Sequence, residues 1–355
     1  MNTVRPAVLT LAALSLAGCA AAAGRPAGHT AATTAHTAAT TARPAQWTAA
    51  SHSQKVLDLS GPRRDGAIVV ATAGRLALLG SGGALRPFAR GPGGYVSPGG
   101  EEPYIALSAG ERVLSARCTF PSGTVYALRL RHGRGVTAID PAGRARRFAT
   151  LPTTTRANGI AFDTTGRFGH RLLVTATAGS NTAVYAIDCH GSVTTLTQSA
   201  PTAEGGIAVA PASFGRFAGD LIAPDEVSGR IYAIAPDGTS RLVADSGLPH
   251  GQDIGVESLG FVPAGFASPG FGGRAGALVA DRRTPGGRHP GDGVILRIGA
   301  ASLRRAGVRP GDLLIGSEGG AGTDAITCGA SCQVRKVADG PPAAHLEGHI
   351  VFGAG

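Results

Sequence analysis

From residue 55 onward, apolar residues come in runs of four to eight, rich in Val, Ile, Leu and Tyr and separated by Gly, Asp-Gly or Pro. That spacing predicts short strands joined by tight turns. Residues 204–246 show it best. EGGIAVA, GDLIAPDE, GRIYAIAPDG and TSRLVADSG read as four consecutive strands, with Asp237-Gly238 as a hairpin signal. Residues 158–200 repeat the order as NGIAFD, RLLVTATAG, AVYAIDCHG and SVTTLTQ, and GVTAIDPAG at 135–143 is a further copy of the third piece. Only ASLRRAG, Ala301 to Gly307, reads as helix, and it is short.

A four-stranded antiparallel sheet in a unit of about forty to fifty residues cannot bury both faces alone, and repetition of the unit predicts a β-propeller. Each unit carries a marker ahead of its first strand: EPYIAL from Glu102, NGIAF from Asn158, EGGIAVAP from Glu204, ESLGFV from Glu257 and EGHIVF from Glu347. The spacing is roughly fifty residues, except for a gap of about ninety before the last marker. The expectation is an all-β, six-bladed propeller over residues 55–355, with five blades as the alternative if 257–346 is one elaborated unit. In the six-bladed count, one blade within that gap lacks its marker and takes its later strands from DLLIGSEGG, DAITC and QVRKVADG. The strands of 67–91 and the C-terminal EGHIVF are expected to share the blade that shuts the ring.

The first strand of a propeller blade lies innermost, so radial symmetry predicts that Glu102, Asn158, Glu204, Glu257 and Glu347 converge on one mouth of the central channel. Carboxylates so close repel and raise one another's proton affinity unless a cation lies between them. An all-oxygen Glu/Asn set without clustered Cys or His points to a hard divalent cation, Ca²⁺ first. His349 is expected on the same side of its strand as Glu347, and the loop of His250 and Asp253 at the same mouth, all three as ligand-binding residues. Asp163 and Asp237 sit in hairpin turns, where Asp is ordinary. Any single Glu has an alternative as a turn cap or as partner of Arg156 or Arg112; it is the alignment of five that points to a site.

This set resembles the six-bladed propellers of the SMP-30/gluconolactonase/luciferin-regenerating group and, more loosely, NHL-repeat and strictosidine-synthase-like proteins. The resemblance rests on Glu102-Pro103, on Asn158-Gly159 ahead of an apolar strand, and on Glu204 where that group carries an Asp. It implies Glu102, Asn158 and Glu204 as metal ligands. The group's acid/base Asp in an Asp-Gly first strand has no counterpart in this sequence.

The first residues qualify the picture. Arg5, the apolar run 7–17 and Leu16-Ala-Gly-Cys19 resemble a lipoprotein signal, so residues 1–18 are expected to be a signal peptide and Cys19 lipidated. Residues 19–54, mostly Ala, Thr, Gly, Pro and His, are expected to be a disordered tether. The expected location is the cell membrane, lipid-anchored on its extracytoplasmic face. The net charge of +10 is carried almost wholly by dispersed arginines, which argues against a nucleic-acid surface, and a monomer is expected. Cys328 and Cys332 bracket a turn and are expected to form a local disulfide; Cys118 and Cys189 can pair only if their strands are neighbours.

Two functions compete. One is a propeller that binds a small molecule or glycan around a divalent cation, with an exposed patch at Tyr95, Phe266 and Phe271. The other is a metal-dependent lactonase or esterase, with Glu257 or Glu347 as general base. A lyase acting on a cyclic ester is a third reading and needs a His-centred site. No G-x-S-x-G nucleophile motif is present.

Overall fold

The computed structural model describes residues 43–72, 74–89, 102–130, 134–152, 156–251, 254–268 and 275–353. Within them the chain forms an all-β, propeller-like fold with one six-residue helix, Ala300–Arg305. Four sheets have four antiparallel strands each, and their innermost strands are Val56–Ser60, Ile105–Leu107, Arg156–Phe162 and Ala208–Val209. A nine-stranded sheet completes the series. One half is built on Val256–Phe261, followed outward by Leu313–Ser317, Thr323–Cys328 and Cys332–Asp339. The other half is built on Leu346–Gly353, followed by Gly276–Asp281, Val294–Gly299 and Thr48–His52. The halves meet through one parallel pair, Leu259 with His349.

The inner strands touch one another in succession, and Leu346–Gly353 returns to contact Val56–Ser60. Apolar side chains fill the spaces between neighbouring sheets. Tyr104, Phe120, Tyr126, Phe162 and Tyr185 lie in one such layer, and Phe120 and Tyr126 meet edge to face with ring centres 5.4 Å apart. Val56, Leu59, Ile68 and Val70 pack against Leu278, Ala280 and Ile295, which brings the end of the series against its beginning. Burying both faces of every sheet is what a single sheet of this composition cannot do.

Three expectations about strand assignment are corrected. The sheet that spans residues 56–87 has its own inner strand, Val56–Ser60, and does not borrow the C-terminal one. The C-terminal strand pairs instead with Gly276–Asp281, so the sheet half shared between chain ends is completed on the outside by Thr48–His52. The segments DLLIGSEGG, DAITC and QVRKVADG belong with Glu257's strand, while 276–299 is the insertion that crosses to the neighbouring half. Residues 45–52, expected in the tether, are strands. Ala45–Gln46 pairs in parallel with Ala338 and Asp339, and the buried Trp47 donates its indole N–H to Thr323 Oγ1 at 2.7 Å. The small Ala, Thr and Ser residues there hide a strand whose place is fixed by pairing with sheet edges and by one large anchor. Cys19 and the rest of 1–42 lie outside the described residues.

Both disulfides are present: Cys328–Cys332 clips a hairpin, and Cys118–Cys189 joins neighbouring sheets. Phe266 is fully buried against Phe352 and is no part of an exposed patch; Tyr95 and Phe271 lie outside the described residues.

Candidate functional site

Three of the five marker residues sit at or beside places where the inner strands break register. Ala157 pairs with Ala176 and Gly159 with Thr175, leaving Asn158 as an extra residue without a cross-strand partner. Val256 pairs with Ser317 and Ser258 with Gly316, leaving Glu257 in the same position. On the C-terminal strand, Glu347 opposes Ala280 and Val351 opposes Leu278, so three residues face one. A bulge of this kind re-aims a side chain that the pleat would otherwise point into a sheet interface.

The glycines that follow the markers have a separate cause. A Cβ on Gly205 would lie 2.3 Å from the Glu257 carbonyl oxygen, and one on Gly206 2.4 Å from that of Gly348. Here the inner strands come within hydrogen-bonding distance of each other: Gly205 N–H donates to Asn158 O at 3.0 Å and Gly206 N–H to Glu257 O at 2.8 Å. The channel therefore has a waist of backbone. The starts of the inner strands lie on one side of it and their later residues on the other.

On the first side is a cavity of about 210 Å³ lined by Glu102, Arg156, Glu204, Glu226, Glu257, Arg282, Thr284, Glu318 and His345. Glu347 lies fully buried behind it. Three sets of ligand atoms fall within 4.8 Å of one another: Glu204/Glu226/Glu257, Glu102/Glu257/Glu347 and Glu318/His345/Glu347. Shared members, Glu257 and Glu347, link the three into a chain. The middle set is internally satisfied. The Arg282 guanidinium donates to Glu102 and, at 3.3 Å, to Glu347. The Tyr104 hydroxyl bridges Glu347 and Glu257, the latter at 3.2 Å.

Electrostatics follow from this crowding. Burial first, then the charges of Glu347, Glu318 and Glu102, push Glu257 far above the ordinary carboxylate range. Burial, Glu102 and Glu226 push Glu204 up to about 8 against the pull of Arg156. Burial raises Glu318 to about 7 although His345 opposes the rise. Burial works against the Arg282 charge, but Glu347 and Glu102 outweigh it and keep the guanidinium firmly protonated. Tyr104 is driven upward by burial and by Glu257 and Glu347, so it keeps its proton. One hydroxyl proton serves only one carboxylate, and the proton held by Glu257 supplies the other bond of that bridge.

The structure thus brings together Glu102, Glu204, Glu257 and Glu347. Asn158 is not among the residues that line the cavity; its Nδ2 donates to Ala203 O at 2.8 Å and its Oδ1 is buried without a hydrogen-bond partner. Two expected placements are corrected. His250 is exposed, its ring held by Leu248 O at 3.0 Å, and it does not line the cavity. His349 lies beyond the waist, because the intervening Gly348 at φ +69° breaks the alternation that would have put it beside Glu347. Its ring Nδ1 meets the buried Asp58 carboxylate at 2.9 Å and its Nε2 meets Ile207 O at 3.1 Å. Both partners accept, so both ring nitrogens donate and the ring is an imidazolium. Burial opposes that charge, and Asp58 overcomes it, giving a net upward shift. His349 instead faces a second cavity, about 340 Å³, with walls that include Leu59, Ile105, Ile160, Ile207 and Leu259. Asp253 lies outside the described residues.

Sequence reading missed Glu226, Arg282, Glu318 and His345. The first three share a position, one residue past the second strand of their sheets, after Asp225, Asp281 and Ser317. A second strand runs antiparallel to the first, so its end lies beside the first strand's start. That position was readable once the marker was known. His345 precedes its strand by one residue, and nothing in the sequence distinguished it.

No protein-family model matches the chain, and no curated protein matches it in sequence. Among solved structures, virginiamycin B lyase from Staphylococcus aureus is similar at 14% identity and a TM-score of 0.44, covering 79% of this chain and 69% of that one. A streptogramin B lyase is similar at 10% identity and a TM-score of 0.46, covering 82% and 72%. The calcium-binding protein regucalcin from Agrobacterium tumefaciens is similar at 12% identity and a TM-score of 0.44, covering 79% and 75%.

Proposed function

We propose that this chain is a six-bladed propeller, the nine-stranded sheet supplying two blades, and that its acidic cavity binds a small ligand around a divalent cation. Ca²⁺ is the cation that an all-oxygen set favours. The observation that carries the reading is the set Glu204/Glu226/Glu257, whose oxygens converge within 4.8 Å. Unlike Glu102 and Glu347, neither Glu204 nor Glu257 forms an ion pair with a basic side chain among the described residues. Asn158 Oδ1 is also buried and unpartnered, on a side chain whose Nδ2 is tied to Ala203 O, next in sequence to Glu204. Glu102 is held by Arg282 and in this reading stands beside the ion and does not ligate it. Residues 1–18 as signal and a lipid on Cys19 would place the propeller at the cell membrane, facing outward; among the described residues no helix is long and apolar enough to cross a membrane.

A metal-dependent lactonase is the second reading, favoured by Glu257. This carboxyl lines the cavity, contacts Tyr104 and belongs to two of the converging sets. A bound cation would polarise a carbonyl and favour ionisation of neighbouring acids. Glu257 would then exchange the proton it holds, with Tyr104 keeping its orientation.

Calorimetric titration of Ca²⁺ into EDTA-stripped protein tests the first reading. One equivalent should bind, and Glu226→Gln should weaken it at least tenfold. Absence of Ca²⁺ binding by the parent, or unchanged binding by the variant, removes it. Hydrolysis of a panel of γ- and δ-lactones by the Ca²⁺-loaded protein decides between binder and hydrolase.

A further inference from the structure

We propose that Glu318, His345 and Glu347 form a second cation seat in the same cavity, one that takes a metal accepting nitrogen, of the Zn²⁺, Co²⁺ or Mn²⁺ class. It goes beyond the reading above and does not require that Ca²⁺ bind at Glu204.

The chain of three sets has its arginine and tyrosine donors at its centre and a histidine at one end. Arg282 and Tyr104 supply donors to Glu102, Glu257 and Glu347. The end at Glu318 differs in chemistry from the end at Glu204. It contains an imidazole, and its three residues are all buried, His345 at 5% exposure, Glu318 at 4% and Glu347 at 0%.

The tautomer of His345 is set from outside the cluster. Its Nδ1 lies 3.0 Å from the carbonyl oxygen of His289. A carbonyl only accepts, so Nδ1 carries the proton. With Glu318 facing Nε2, the cation-free ring also carries a proton there, as His349 does opposite Asp58. Nε2 forms an ion pair with Glu318 and stands 3.7 Å from a Glu347 oxygen. A metal ion at this point would take the place of the Nε2 proton and meet the same two carboxylates. An imidazole anchored through one nitrogen to a carbonyl, with the other aimed at carboxylates, is how metal-ligating histidines are oriented. One nitrogen with two carboxylates suits Zn²⁺, Co²⁺ or Mn²⁺ better than Ca²⁺.

The backbone holds these groups in place. His345 N–H donates to Asp281 Oδ1 at 2.9 Å, and Arg282 N–H donates to His345 O at 2.9 Å. Glu318 N–H donates to Gly255 O at 2.8 Å, which ties it to the start of Glu257's strand. Rigid support of this kind is what a metal site needs.

Co²⁺ titrated into the EDTA-stripped full chain, followed by visible absorption and calorimetry, provides the test. The parent should show ligand-field bands that saturate, and His345→Gln and Glu318→Gln should each weaken Co²⁺ binding at least tenfold while Ca²⁺ affinity stays within about threefold. Co²⁺ binding that both variants retain, or that Glu204→Gln alone abolishes, overturns the proposal. Loss of Ca²⁺ binding by the parent with Co²⁺ binding kept removes only the first reading. Should both variants fail to fold, ¹⁵N-histidine spectra of the parent decide: a His345 signal that remains an imidazolium at saturating Zn²⁺ overturns the seat, and one that moves to a metal-bound position supports it.

Discussion

The cation-free protein should gain stability on mild acidification, and Glu204→Gln should remove much of that gain. An ordinary glutamate releases its proton near 4.5, whereas Glu204 in the folded chain holds it up to about 8. Between these values the folded state binds a proton that the unfolded state has lost, so stability falls as pH rises through the window. A tenfold change in proton affinity is about 1.4 kcal/mol, which sets a ceiling on the order of 5 kcal/mol for the full shift. The Glu204 side chain is partly exposed at the cavity, and water screening reduces the expected effect to about 2–3 kcal/mol. Glu318, raised to about 7, acts in the same direction. His345, where burial opposes the charge but Glu318 raises it to about 9, contributes stability present below about 6.5 and lost as pH rises through 9. The amide of Glu204→Gln cannot ionise. In EDTA the variant should match the parent at pH 5 and exceed it by about 2–3 kcal/mol at pH 8.5. Guanidinium melts at four pH values read this directly. In excess Ca²⁺ the order should reverse, because ligand binding stabilises only the parent. A variant less stable than the parent in EDTA at pH 8.5, or a difference that does not change with pH, would refute the reasoning.

Cys118–Cys189 closes a separation of 71 residues and Cys328–Cys332 one of 4. On loop entropy, replacing the first pair by serine should cost about 4 kcal/mol and the second about 2; equal losses in denaturant melts would sink this account. Gly206→Ala, whose Cβ would meet the Gly348 carbonyl at 2.4 Å with backbone on both sides, should cost about 3 kcal/mol or more. Gly247→Ala, at φ +67° with nothing within 4 Å, should cost only about 1 kcal/mol of backbone strain. Similar drops in thermal melts would show that the waist is not tightly packed.

Alternation and turn chemistry were enough to find the repeated strands, because each strand has one face in a sheet interface and its period survives in sequence. The convergence of Glu102, Glu204, Glu257 and Glu347 was also legible, since symmetry maps equal positions in a repeat to equal positions around an axis. What alternation could not carry was register. Glu347 and His349 are two apart and so seemed to share a face, but the bulge at Gly348 places one in the acidic cavity and the other against Asp58. Strand exchange within the nine-stranded sheet was equally hidden. The segment 276–299 has ordinary strand pattern, and only pairing shows that it belongs with a strand some fifty residues later. The strands at the C-terminal end of the expected tether were hidden as well, since Ala, Thr and Ser bury little by themselves yet pair well beside Trp47.

The cavity is the place where this sequence departs from the rule that buried charges are balanced. Six carboxyls, Glu102, Glu204, Glu226, Glu257, Glu318 and Glu347, meet Arg156, Arg282 and His345. Folding without a cation therefore requires that some of the six hold protons, which is the state the raised proton affinities of Glu204 and Glu257 describe. A scaffold indifferent to ligands gains nothing from such a set, since replacing buried ionised groups by packed apolar ones is often stabilising. The bulges at Asn158 and Glu257 and the crowded glycines beside them have no packing purpose that a regular strand would not serve better. Both features turn polar groups toward the axis and bring the strands close enough to hold them there. The fold accepts a stability cost at its centre that, on the proposed reading, cation binding would relieve, and the size of that relief is what the Glu204→Gln melts measure.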